Sequence, residues 1–261
     1  MRLLRILTTL GFVGLFAVPV TAQTEPITCF GRSVTILGTE AKDTLYGTAG
    51  PDVMHGLGQG DSIHGAPTGT DHPDRKDFIC GGDANDFIRG QFGHDVLDGQ
   101  GGDDEIWGGE GDDTIYGGQG NDELDGLTGS DYLDGGEGAD RLWNSNDHIG
   151  TVLGESSDVI HGGEGGDLIM PHLHADGSDE LYGGAGHDKI YGTRTQYSYE
   201  AAGFPDLIDG GPGYDRCWPD PDDTVINCEE VKALNCNPRP TCRQEGSRFL
   251  AQGEPVERWR R

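Results

Sequence analysis

Large apolar residues recur along most of this chain at a nine-residue spacing, each between two more polar or variable neighbours. The series runs Leu45, Met54, Ile63, Ile79, Ile88, Leu97, Ile106, Ile115, Leu124, Leu133, Leu142, Ile149, Ile160, Ile169, Leu181, Ile190 and Ile208, and Cys217 fills the next slot. One apolar residue with outward neighbours on both sides is β alternation at its shortest, so each slot predicts a three-residue strand. The six residues between strands are rich in glycine, which reaches φ > 0 without steric cost, and they predict tight turns. A single strand buries one side chain and cannot fold alone. Stacked copies join those side chains into a continuous ladder, the solution a solenoid uses. Strands of neighbouring coils lie about 4.8 Å apart, so about ten coils form a rod roughly 45 Å long. Val34-Thr35-Ile36 supplies an opening strand, and Asp223-Thr224-Val225 imitates a closing one.

The polar half of the pattern is as regular. Its phrase is Gly-Gly-x-Gly-x-Asp-x-U-x, where U is the apolar slot, and it is clearest from Gly108 to Tyr116. The Asp recurs at 86, 95, 104, 113, 122, 131 and 140 without a slip. Elsewhere the register bends. Gly65 to Lys76 lengthens one turn, and the turn before Asp179 carries Pro171-His172-Leu173-His174. Asp140 to Asp158 spans 18 residues, one coil, with Asp147 two places early. Asp188 to Asp206 is also 18, with Tyr197 in place of Asp and Tyr199 at U. On this count Asp158 falls on the same side as Asp140.

Six stretches carry the full turn motif, starting at Gly108, Gly117, Gly135, Gly162, Gly183 and Gly210. They resemble the repeats-in-toxin (RTX) family of hemolysin-type calcium-binding proteins, over about residues 38 to 218. The resemblance implies an all-β fold: a parallel β-roll, or right-handed β-solenoid, of 18-residue coils whose two thin sheets face each other. It implies Ca2+ as cofactor, in several copies, held between turns stacked on the same side by Asp carboxylates and backbone carbonyls. The ligands so assigned are Asp86, Asp95, Asp104, Asp113, Asp122, Asp131, Asp140, Asp158, Asp167, Asp188 and Asp215. In the less regular phrases the same role falls to Asp43, Asp52, Asp61, Asp77, Asp179 and Asp206. The resemblance also points to a secreted bacterial protein.

Charge agrees. The chain holds 46 acidic and 18 basic residues, a formal net charge of −28. A compact chain of this kind repels itself and suits a multivalent cation. It does not suit nucleic acid, whose phosphates need basic groups. Met1 to Ala22 reads as a signal peptide, with Arg2 and Arg5, an apolar stretch from Ile6 to Val18, and Val20-Thr21-Ala22 at the cleavage point. That apolar run falls short of a bilayer span, and the mature chain contains no second one. Six Cys follow, an even number in an exported chain, which suggests disulfides. No Cys-x-x-Cys supports zinc. Six Cys allow about 15 pairings, which the spacing leaves open; the candidates are Cys29–Cys80 beside the opening strand, Cys217–Cys228 at the end of the ladder and Cys236–Cys242 in the tail. The domains expected are a signal peptide at 1–22, an N-terminal cap at 23–37, the roll at 38–228 and a flexible tail at 229–261.

Catalytic motifs are missing: no His-Glu-x-x-His, no Gly-x-Ser-x-Gly and no phosphate loop. His172 and His174 read as part of a solvated loop, and pairs such as Asp112-Asp113 as a turn residue beside a ligand. One outward column, with Tyr46, Trp107, Trp143, Tyr182 and Trp218, offers a face for a sugar chain or another surface protein. The function expected is a secreted, calcium-folded scaffold, adhesion or matrix protein without catalysis. The alternative is a small polysaccharide-active enzyme or carbohydrate-binding module using one sheet face.

Overall fold

Consecutive strands of a nine-residue period point their apolar slots at one another, and this makes two sheets from one chain. The computed structural model describes residues 26–67, 76–144, 157–171, 177–192, 205–219 and 223–232. Among the described residues every regular element is a strand. The first sheet has ten strands, from Ile36–Leu37 to Thr224–Ile226, and the second has ten, from Thr44–Tyr46 to Glu230–Val231. Successive strands alternate between sheets and pair in parallel with the strand one coil away. Glu105–Glu110 thus lies between Phe87–Phe92 and Glu123–Thr128, with Ile106 opposite Ile88 and Leu124. The molecule is a parallel β-roll.

The central strands are longer than predicted. Thr114–Gln119 pairs on through the glycines, Gly118 with Gly136 and Gln119 with Glu137. Stacking identical turns brings backbone opposite backbone, so the ladder continues where a single phrase reads as turn. The core is the apolar column itself: from Met54 to Cys217 every described U residue is fully buried. Ile36, Leu45 and Cys228 close its ends only in part.

Two irregular phrases do not behave as counted. The strand Tyr132–Gly138 pairs directly with Val159–Gly165, and Arg141–Trp143 with Leu168–Met170. No rung is left between them for Asp147 and Ile149, which lie outside the described residues. Likewise Glu180–Gly186 pairs with Leu207–Asp209, and Lys189–Tyr191 with Arg216–Trp218, leaving no rung for Tyr197 and Tyr199. Neither phrase carries the full set of turn glycines: the Asp147 phrase has none before its Asp, and the Tyr197 phrase has only Gly192. Skipping one half-coil exchanges the sides: Asp158 stacks on Asp131, not on Asp140.

The N-terminal cap is a hairpin, Thr28–Cys29 against Arg32–Ser33. It does not sit across the end of the rod. Cys80 occupies an outward slot, opposite His55 and Asp98, and its disulfide to Cys29 straps the hairpin over the outer face of the first sheet. There the Arg32 guanidinium lies 3.9 Å from the centre of the Phe78 ring. The Phe30 ring lies 6.1 Å from those of Phe78 and Tyr116. At the other end Cys217 is bridged to Cys228. Among the described residues no helix is long and apolar enough to cross a membrane.

Candidate metal centres

The Asp column is inside the molecule. Asp86, Asp95, Asp104, Asp113, Asp122, Asp131, Asp140, Asp158, Asp167, Asp188 and Asp215 are all buried, as are Asp52, Asp61, Asp77, Asp179 and Asp206; Asp43 is half-buried. What holds them is a ladder. The backbone N–H of each Asp donates to Oδ1 of the Asp one coil later: Asp95 to Asp113 at 2.8 Å, Asp104 to Asp122 at 2.8 Å, Asp113 to Asp131 at 2.8 Å. The backbone carbonyl of the same Asp accepts from the residue after that partner, as Thr114 N–H donates to Asp95 O at 2.9 Å. There is one such ladder on each side of the roll: the one through Asp104 and Asp122 ends on Glu229, whose Oε2 accepts from Asp215 N–H at 2.8 Å, and the one through Asp95 and Asp113 ends on Asp223, whose Oδ1 accepts from Asp206 N–H at 3.1 Å.

The second carboxylate oxygen is different. Oδ2 of Asp61, Asp86, Asp104, Asp113, Asp122, Asp131, Asp140, Asp167, Asp188 and Asp215 is buried with no hydrogen-bond partner. Each lies over the Cα of the glycine five residues earlier. A Cβ at Gly108 would run into both Asp113 Oδ2 and the Gly126 carbonyl oxygen of the next coil; Gly81, Gly99, Gly117, Gly162 and Gly183 repeat the arrangement. A buried anionic oxygen left without a partner is costly. Burial raises these carboxyls, and neighbouring carboxylates add to it: Asp113 to about 9, Asp104 and Asp131 to about 8, Asp86 and Asp167 to about 7. Asp122, Asp140 and Asp215 rise to about 6 for the same first reason.

These observations fit a hard divalent cation. The donors are all oxygens, one anionic oxygen per turn beside backbone carbonyls, which is calcium's preference. No three His, Cys, Asp or Glu side chains converge among the described residues, so carbonyls must complete any such site.

Three turns are closed by the protein instead. Asp43 Oδ2 accepts from Thr39 N–H at 2.6 Å and from its hydroxyl at 2.8 Å, and Asp52 Oδ2 accepts from Thr48 N–H at 2.6 Å. Asp158 Oδ2 accepts from Asn144 Nδ2 at 2.6 Å, and Asn144 is itself buried. Asn144 stands where a regular phrase has its first glycine. The contrast is testable. Asp113→Asn keeps the Oδ1 acceptor but removes the charge, and the calcium midpoint of folding should rise several-fold, whereas Asp43→Asn should leave it nearly unchanged. Equal midpoints for the two variants would refute this division of the column.

A second ladder was not visible in the phrase. The residue before each Asp accepts, through its side chain, the N–H of its counterpart one coil later. Asn85 accepts from Asp103, Asp103 from Asn121, Asn121 from Ala139, and on the other side His94 from Asp112 and Asp112 from Ser130. It runs opposite to the Asp ladder. The residue types vary because only an acceptor is required. A further compensation appears where the second glycine is missing. Leu57, Gln100 and Leu127 hold φ of 91°, 74° and 69°, and each donates its N–H to the side chain two residues before, His55, Asp98 or Asp125.

The outward aromatic column is divided by the exchange of sides. Tyr46, Trp107, Trp143 and Trp218 share the second sheet, but Tyr182 lies on the first, opposite His161. Several of these rings face a neighbour one coil away rather than one another. Tyr46 stacks on His64 at 5.0 Å and Tyr191 on Trp218 at 4.3 Å; the Arg89 guanidinium covers Trp107 at 4.2 Å. Trp143 donates its indole N–H to Asp125 Oδ2 at 2.8 Å. Cys236, Cys242, His172 and His174 lie outside the described residues, as do residues 1–22.

One family matches, described as the RTX calcium-binding nonapeptide repeat (4 copies), over residues 37–67, 81–115, 116–148, 153–170 and 175–194. No curated protein matches the chain.

Proposed function

The chain belongs to the RTX calcium-binding nonapeptide repeat family, and on that premise we propose that it is a secreted protein whose roll is held together by calcium and which acts as an extracellular scaffold or adhesion element. The observation that carries this reading is the column of ten buried Oδ2 atoms without hydrogen-bond partners, those of Asp61, Asp86, Asp104, Asp113, Asp122, Asp131, Asp140, Asp167, Asp188 and Asp215.

The ions would be held by the carboxylates of Asp61, Asp86, Asp104, Asp113, Asp122, Asp131, Asp140, Asp167, Asp188 and Asp215 with turn carbonyls, and by Asp77, Asp95, Asp179 and Asp206 in the same column. Asp43, Asp52 and Asp158 stand apart, because side chains or backbone of the protein take their second oxygen. Calcium, when bound, would supply positive charge that offsets the repulsion among these carboxylates. The chain's own part is to present the carboxylates in register. Oδ1 fixes each side chain against the coil before it, and the apolar ladder sets the coil spacing. Export is supported by the signal-like residues 1–22 and by two disulfides, which suit an oxidising compartment.

The scaffold reading is preferred to a polysaccharide-active enzyme or a carbohydrate-binding module. Tyr46, Trp107 and Trp218 have a ring face turned to a neighbour in the ladder, and such pairs stabilise strand stacking. A sugar platform needs those faces turned outward. Equilibrium dialysis against radioactive calcium tests the proposal: about ten ions should bind per chain, one for each open carboxylate. Binding of one ion or none would remove the basis for it.

A further inference from the structure

We propose that the first two turns of the roll close without metal and form a platform on which the calcium-dependent coils stack, from the N-terminal end towards the C-terminal end. The inference rests on the calcium reading above, and it comes from a difference between turns.

In regular turns the second glycine is left-handed. Gly109, Gly118, Gly136, Gly163 and Gly184 hold φ of 128°, 111°, 97°, 110° and 95°. In the first two turns that position is Thr39 and Thr48, and neither has positive φ. A β-branched residue avoids the left-handed region. The peptide therefore turns its N–H onto the carboxylate: Thr39 to Asp43 Oδ2 and Thr48 to Asp52 Oδ2, both at 2.6 Å. The threonine hydroxyls finish the turns by accepting from Ala41 N–H and Gly50 N–H, each at 3.2 Å. The oxygen that a regular turn leaves open is here satisfied by the turn itself.

These turns are also tied to their neighbours without metal. Asp43 N–H donates to Asp61 Oδ1 at 2.7 Å, and Gln59 Nε2 to the Glu40 carbonyl at 3.2 Å. Val53 N–H donates to the Thr35 hydroxyl at 3.0 Å. The Cys29–Cys80 bridge fastens the hairpin over the same coils. Charge points the same way. Residues 26–67 hold four acidic and two basic residues, whereas residues 95–140 hold fifteen acidic and no basic ones. Repulsion without metal is concentrated in the centre, and the N-terminal coils escape it.

Hydrogen exchange read by mass spectrometry on the full, oxidised chain tests this. In a chelator at neutral pH, amides in residues 35–58 should be protected at least tenfold over those in residues 95–140, and calcium should then protect the centre. If calcium protects the centre but residues 35–58 are equally unprotected without it, the platform is wrong and the calcium reading stands. If the whole chain is protected in chelator and calcium adds nothing, both fail. The Thr39→Gly, Thr48→Gly double variant separates turn closure from the disulfide. It should lose protection in chelator yet regain it with calcium. Unchanged protection in chelator would show that the threonine turns are not the cause.

Discussion

Stripped of metal at pH 8, the chain should lose most of its far-UV β signal, and it should regain it in two ways: by addition of calcium at roughly 0.1–1 mM, the range of extracellular modules, or by acidification to pH 5 without calcium. Both follow from the same buried carboxylates. In the folded, metal-free chain Asp113 is pushed up to about 9 and Asp104 and Asp131 to about 8, against an ordinary value of 3.8 in the unfolded chain. Between pH 4 and 9 the folded state therefore binds more protons than the unfolded one. Its stability falls as pH rises through that window. The contribution is fully present below the unfolded value and is lost as the folded carboxyls ionise. At pH 8 several carboxylates must be charged in a desolvated column, and unfolding relieves them.

Protons and calcium then compete for the same oxygens. Calcium should bind with release of protons, and its midpoint should weaken as pH falls, while the metal-free fold gains. Long-range repulsion from the net charge of −28 acts in the same direction, but salt screens it. Sodium chloride at about 1 M should therefore restore little of the signal at pH 8. A metal-free β signal that is the same at pH 5 and pH 8, or weaker at pH 5, would show that the column does not govern folding. Full recovery by sodium chloride alone would place the effect in surface charge instead.

The repeat made the two columns legible, because each is enforced in every phrase by a single requirement. An inward slot must be apolar, as at Ile106 or Leu133, and the turn carboxylate must be Asp, as at Asp113. What varied in residue type could not be read. The ladder through Asn85, Asp103, Asn121, His94 and Asp112 needs only an acceptor, so its members share no identity. Sidedness failed for another reason. Counting residues from Asp140 to Asp158 gives one coil, but the turn before Asp147 has no glycine, and the strands on either side pair directly with each other, Tyr132–Gly138 with Val159–Gly165 and Arg141–Trp143 with Leu168–Met170. The number of residues between two phrases does not reveal whether they hold a half-coil, because the entropic cost of joining two strands rises only slowly with the length of the connection. Tyr182 was assigned to the wrong face by that count. The phrases before Asp43 and Asp52 read only as less regular, although Thr39 and Thr48, which make them so, close those turns.

Gly108→Ala should raise the calcium midpoint at least tenfold, while Gly101→Ala, seven residues away in the same coil, should leave it almost unchanged. Neither glycine has positive φ, so alanine meets no backbone penalty at either. The difference is in what a methyl group touches. At Gly101 the nearest atom is the Gly82 carbonyl oxygen at 4.0 Å, an ordinary contact. At Gly108 the methyl would collide with Asp113 Oδ2 and with the Gly126 carbonyl oxygen. The carboxylate can rotate away, at the loss of its place in the column; the carbonyl belongs to the next coil and moves only if the stacking opens. Overpacking of this kind costs about 1–3 kcal/mol, and here it also displaces a proposed ligand. Gly101→Ala should instead be neutral or slightly stabilising, since alanine narrows the unfolded ensemble. High calcium should rescue Gly108→Ala only in part, because the oxygen that must be regained is the one the methyl displaces. Equal midpoints for the two variants, or full rescue by millimolar calcium, would mean that the glycine before each carboxylate is not what keeps the site open.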